Sequence, residues 1–341
     1  MSKSFKTVID RFRRDPIKAT AQKAEVEAQS QDSASKVSRS EGTLSFYFRF
    51  FIRDKPALVG LIIILVFFVW SVIEGTAQEL AILLHNPAYS YALLPSDPVS
   101  STINFNDQLQ PPSLNHFPNL IFGTDQLGRS IFAEILYAAP HDAEAPLLVV
   151  GVAMVIGMFL GTAAGYFGGW IDEILMRLTD AFLALPILVF AIAVAVLFGS
   201  GYQDLLAALL LVWWPTYARF FRVQALTIRR RAYVESAKLS GIKSFWIILK
   251  HIIPNSIDPV IAYVTLDLGS VILLIAALAF LGVGVSFNYP EWGFISSIGL
   301  QYFPADWWWP IMPGIVIGII VAAFTLAGDR LQDLISGRMN Y

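Results

Sequence analysis

Within the six apolar stretches of this chain, one side chain can carry charge well inside: Asp267, with Asp258 near the start of the same stretch. An ionisable group in an apolar segment is costly to bury. It marks either a path for a polar solute or a bond to a neighbouring helix, and Asp267 admits both readings. Catalysis inside these stretches would need paired acids, a nucleophile with its base, or metal ligands at helical spacing. They carry none of these. The four histidines, His85, His116, His141 and His251, are not spaced as a metal pair on one helix face, and there is no cysteine. No Gly-x-x-x-x-Gly-Lys-Ser/Thr phosphate loop occurs. We therefore expect no catalytic residue, no metal site, no cofactor and no nucleotide site of that kind.

A second group of residues has chemistry of another sort. The segment ESAKLSGIKSFWIILKHIIPN, Glu235 to Asn255, is charged and lies between two long apolar stretches. Glu235, Ser236 and Ala237 are followed by Gly241 six residues after the glutamate, and by Pro254-Asn255 thirteen residues after the glycine. A short helix with alanine and serine on its outer face can approach a partner closely. Glycine permits a sharp reversal, and proline is tolerated in the first turn of the helix that follows. A third group is aromatic: Trp292, Trp307 and Trp308 stand among Phe287, Tyr289, Phe294, Tyr302, Phe303 and Trp309. Such a cluster is either an interfacial belt or a platform that faces a receptor protein or a substrate such as a sugar ring.

The elements that position these groups are membrane spans. The chain has 341 residues, of which 56 % are hydrophobic and 15 % charged, too apolar for a soluble domain of this size. Apolar stretches at 57–73, 147–166, 183–198, 205–218, 257–283 and 311–327 give six helices, each crossing about 30 Å of hydrocarbon. With a cytoplasmic amino terminus, 23 of the 24 lysines and arginines fall on the cytoplasmic side, Arg129 being the exception. That bias places both termini and the Glu235–Asn255 segment in the cytoplasm. The expected organisation is a cytoplasmic tail over 1–43, an interfacial elbow and first span over 44–74, and an external loop over 75–145. A core of five helices follows over 146–328, holding the charged loop 219–256, and a short cytoplasmic tail occupies 329–341. Within the tail, Ser4 to Arg14 has the spacing of a surface helix, while Ala19 to Ser40 is too polar to fold alone. Within the external loop, FGTDQLGRSIFAEILY from Phe122 reads as a capped amphipathic helix on the outer membrane surface.

Several blocks in order carry a resemblance. They are FIRDKPALVGL from Phe51, FGTDQLGRS from Phe122, AGYFGGWIDEILMRLTD from Ala164, WPTYARFFRVQAL from Trp214, YVESAKLSG with HIIPN, LAFLGVGV from Leu278, PEWG from Pro290 and GDRLQD from Gly328. Together they resemble the dipeptide and oligopeptide permeases of ATP-binding-cassette importers, over most of residues 50–335. The resemblance implies an all-helical integral membrane protein of the type I importer permease fold in a prokaryotic inner or plasma membrane. It implies work with a second permease, one or two cytoplasmic ATPases that hold ATP and magnesium, and an external solute-binding protein; it implies no nucleic acid. Glu235, Ser236, Ala237, Gly241 and Pro254 match the family's ATPase-coupling loop. Arg219 and Arg222 would sit at the cytoplasmic mouth, and Asp172, Arg177 and Asp180 would form a local ion-pair cluster. Two departures stand out: AAPHDAEAP from Ala138 replaces a glycine-and-arginine stretch, and Ile275 stands where many relatives carry a glutamate. Oligopeptide is the cargo the resemblance favours, with oligosaccharide and then nickel behind it. A channel or an intramembrane enzyme is the alternative from a different class.

Overall fold

The computed structural model describes residues 54–99, 107–115, 117–199, 201–284 and 291–335. The expected amino-terminal tail, the elbow as far as Arg53, and the last residues of the carboxyl tail lie outside them. Among the described residues the regular elements are helices, with one isolated antiparallel bridge between Thr124 and Ser130. Helices α1 (Lys55–Leu83), α2 (Ile131–Phe167), α7 (Ser244–Phe280) and α9 (Trp308–Ile335) are each long and apolar enough to cross a bilayer. Helices α3 (Gly169–Leu183) and α4 (Ile187–Phe198) make a fifth crossing if the pair counts as one span.

The expected six spans are thus met by four or five. The apolar stretch over 183–198 is not one helix, because α3 and α4 meet at a 90° bend at Pro186. Proline has no N–H to donate and pushes the residue before it out of the helical region. The stretch over 205–218 lies inside α5 (Tyr202–Ile228), which is 27 residues long. Its tryptophans, tyrosines, Gln203 and charged residues make it less apolar than the other long helices.

The run from Phe122 also folds differently from expectation. Ser130 caps α2, its hydroxyl accepting from Ala133 N at 3.4 Å, and the helix then continues for 37 residues through Pro140 and Pro146. The expected surface helix is the first part of this long one, which runs unbroken across position 145. Pro140 leaves the Leu136 carbonyl without its usual i+4 donor. Trp70 of α1 fills the place, its Nε1 donating to Leu136 O at 3.0 Å. Around the same turn Gln78 donates to Tyr137 O, Ser71 to Ala139 O and Trp292 to Ile135 O, at 2.9, 3.1 and 2.9 Å. A proline inside an apolar helix is tolerated where neighbouring side chains satisfy the exposed carbonyls in this way.

Helix α2 packs along α5 through Gly157, Gly161 and Gly165, four residues apart on one face. A Cβ at Gly161 would lie 2.2 Å from Ala218 O, so the two backbones meet at a distance only glycine allows. Short helices α6 (Ala232–Leu239) and α8 (Trp292–Gly299) and two 3-10 turns, Pro87–Tyr91 and Leu300–Tyr302, are the remaining helical elements among the described residues.

Candidate functional site

Helix α5 passes through Arg229–Arg231 directly into α6, and α6 reverses into α7. The reversal has a defined chemistry. Gly241 has φ of 77°, Gly241 N donates to Lys238 O at 3.0 Å, and Ile242 N donates to Ala237 O at 3.2 Å. These two bonds form a Schellman motif, which closes a helix on a left-handed residue and so favours glycine. A Cβ at Gly241 would meet nothing within 4 Å, so the requirement there is backbone conformation and not space.

The inner face of α6 is set by Val234 and Ala237, which are buried with Tyr166, Ala225, Ile228, Ile247 and Ile252. Ala237 therefore faces inward, contrary to the docking-face reading; on an eight-residue helix the apolar pair Val234/Ala237, three apart, takes the core side. Glu235 and Ser236 remain exposed. Three contacts tie the segment to the end of α2. Arg229 Nη1 donates to Gly165 O at 2.8 Å, Lys238 Nζ lies 4.9 Å from the centre of the Tyr166 ring, and Tyr166 OH reaches Ser244 Oγ at 3.4 Å. A cation at a helix C-terminus also meets the negative end of the helix dipole.

What the sequence alone did not reveal is the outer surface of this turn. Leu239 is 89 % exposed and Phe245 65 %, and Ile242, Trp246 and Leu249 are exposed beside them. These exposed apolar side chains fall on one short segment that also carries Glu235, Lys238 and Lys243, and exposed apolar surface marks contact sites. Pro254 lies just past a π-helical turn, Ile248–Ile252, in the first turn of the α-helical remainder of α7. Asn255 Nδ2 donates to His251 O and Ser256 Oγ to Ile252 O, both at 2.7 Å, binding carbonyls of that irregular turn.

Asp267, midway along α7, is 5 % exposed. Its Oδ2 accepts from Trp213 Nε1 at 2.7 Å and from Tyr217 OH at 2.8 Å, both on α5. The carboxylate thus bonds α7 to α5, the two helices that flank the α6 turn. A cavity of about 1330 Å³ between α1 and the start of α2 is lined by Phe68, Gln78, Tyr137 and His141, with Asp267 outside it.

The charged residues near the turn pair across helices. Arg222 of α5 grips Asp172 of α3 with both ends of its guanidinium, at 2.5 and 2.7 Å, and Arg219 reaches Asp180 at 2.7 Å. Arg177 pairs instead with Glu173 on its own helix at 2.5 Å. The expected local cluster of Asp172, Arg177 and Asp180 is therefore a set of links from α3 to α5, with Arg177 outside it. The tryptophans separate as well. Trp307 is 45 % exposed, whereas Trp292 and Trp308 are enclosed at 2 % and 6 %. Trp292 Nε1 is spent on Ile135 O, and Trp308 Nε1 on Thr124 O at 3.4 Å. Neither enclosed ring presents a face to a receptor or a cargo. Among the described residues no group of three or more potential ligands could hold a metal.

Residues 153–341 match the family model of binding-protein-dependent transport system inner membrane components. The chain is 35 % identical over 287 residues to a dipeptide transport system permease protein of Alkalihalophilus pseudofirmus, covering 84 % of this chain and 87 % of that protein. It is 36 % identical to a probable D,D-dipeptide transport system permease protein of Escherichia coli, covering 76 % of this chain and 85 % of that one. A glutathione transport system permease protein of Pectobacterium atrosepticum is 33 % identical, with 72 % and 80 % covered.

Proposed function

Because this chain belongs to the family of binding-protein-dependent transport system inner membrane components, we propose that it is one permease subunit of an ATP-driven importer. It is a multi-pass membrane protein and a transport subunit rather than an enzyme. In our reading it crosses the plasma membrane six times with both termini in the cytoplasm, α3 with α4 and α5 supplying two of the crossings. It works beside a second permease, one or two cytoplasmic ATPases carrying ATP and magnesium, and an external solute-binding protein. Its cargo is an oligopeptide or dipeptide, dipeptide being the cargo printed in the names of two of the relatives above.

The observation that carries this reading is the exposed apolar turn at Leu239, Ile242, Phe245 and Trp246, held on the Schellman reversal at Gly241. The turn supports an ATPase-docking role because its inner side is hydrogen-bonded and buried and its outer side is exposed. A force applied there enters α5 and α7 directly, which Asp267 joins, and passes to α2 through the glycine stripe. Packed helices move as bodies, so closure of the ATPases would turn this group as one and open the path on alternate sides. Asp267 in this account is a joint between moving helices.

The test is purification of the tagged chain from its native membranes in mild detergent, identification of every protein that accompanies it, and extraction of any small molecule held by a bound receptor. Recovery of a second permease, ATPases and a receptor loaded with peptide is the expected result. A receptor loaded with oligosaccharide or nickel overturns the cargo alone. A chain that purifies by itself overturns the machine.

A further inference from the structure

Asp142 in α2 and Glu291 at the start of α8 lie far apart in sequence, yet the fold brings both into one enclosed place, where they are 4 % and 3 % exposed. Asp142 Oδ2 accepts the backbone N–H of Trp292 at 3.2 Å, so it caps α8 from another helix. Glu291 occupies the N-cap position of α8 but makes no capping bond, and its Oε1 is buried without a hydrogen-bond partner. Two carboxyl groups thus flank one peptide link, one satisfied and one not.

Among the described residues no cation pairs with either carboxyl. Arg129, near the start of α2, is held by Asp125 at 2.6 Å and by Glu134 at 2.9 Å. His141, next to Asp142 in the chain, sets its ring edge-on to Tyr202 of α5, 6.0 Å between ring centres. Glu144 on α2, Glu74 on α1 and Asp306 before α9 are acidic residues, and the tyrosines Tyr137 on α2 and Tyr302 near α9 supply no positive charge. Neither α8 itself nor the segment 281–290 that leads to it contains lysine, arginine or histidine. Two adjacent buried carboxylates without a cation repel each other and lack solvation, a state that a bound proton relieves.

We propose that Asp142 and Glu291 together bind one proton at neutral pH, forming a proton-binding site that fastens α8 to α2. The proton turns the orphaned Glu291 oxygen into a donor, while the remaining carboxylate keeps the Trp292 amide. The titration belongs to the pair and not to either residue. Burial, and then the negative charge of Asp142, push the Glu291 carboxyl well above the usual carboxylate range, in the direction this arrangement requires.

The test is infrared spectroscopy of the assembled transporter in lipid nanodiscs at neutral pH, compared with Glu291→Gln and Asp142→Asn. The expected difference spectrum contains a protonated-carboxyl carbonyl band that shifts in heavy water. Either single substitution should abolish it, because one amide and one carboxylate satisfy each other without a proton. A band that survives either substitution, or none attributable to the pair in the parent, overturns the proposal. Should one variant fail to fold, the other reads the same band. A second readout follows from the sign of the shift. A carboxyl raised in the folded state contributes stability at low pH that is lost as pH rises through its folded value. The parent should therefore melt at lower temperature as pH is raised from 5 to 9, and Glu291→Gln should show a flatter profile.

Discussion

Asp267→Leu would leave the Trp213 N–H and the Tyr217 O–H buried without an acceptor. Each orphaned donor costs about 1–3 kcal/mol, so a clear fall in the melting temperature of the purified complex is expected. Asp267→Asn keeps an oxygen for both donors and should melt close to the parent. Uptake supplies the discriminating readout. A joint between α5 and α7 predicts that asparagine preserves transport, whereas a charge lining the path predicts that asparagine impairs it without loss of stability. Gly241 is the other residue on which the account turns. Gly241→Val meets no crowding, only a left-handed backbone that costs about 1–2 kcal/mol for a residue with a Cβ. We expect the protein to remain in the membrane and uptake to fail, and normal uptake would remove the turn from the mechanism. Glycine and proline in this segment were legible because turn chemistry depends on residue type locally. The partners of Asp267 were not, since α5 and α7 are brought together by packing that no local pattern encodes.

At the level of helices, the proposed transmission of motion depends on the close contact of α2 with α5. Gly161→Val would drive a side chain into the Ala218 carbonyl, and overpacking of this kind costs about 1–3 kcal/mol or separates the helices. The matched control is Gly151→Ala on the same helix, where an added Cβ meets nothing within 4 Å. Thermal unfolding should show a large loss for the first and little for the second. Equal effects would mean that the stripe is not the fulcrum. The long apolar helices were readable from composition, because burial in lipid demands near-continuous apolar sequence. The bend at Pro186 and the continuity of α2 through Pro140 were not. Proline ends one helix and is accommodated in the other, and the difference lies in donors such as Trp70 and Ser71 on a separate helix. The inward turn of Ala237 was hidden for a related reason: over eight residues, serine and alanine do not say which face is covered.

On the scale of the whole molecule, the proposed machine has an ATPase push at the α6 turn, with α5, α7 and α2 as the body that answers. Apolar residues such as Leu239, Phe245 and Trp246 escape notice in so apolar a sequence, and only their exposure on the fold singles them out. The measurement that tests this most directly is recovery of the ATPases with the tagged chain carrying Leu239→Asp and Phe245→Asp, both outward-facing and outside the core of the turn. The account predicts that the chain stays in the membrane with its second permease while the ATPases are lost from the complex. Full retention of the ATPases by that variant would contradict it.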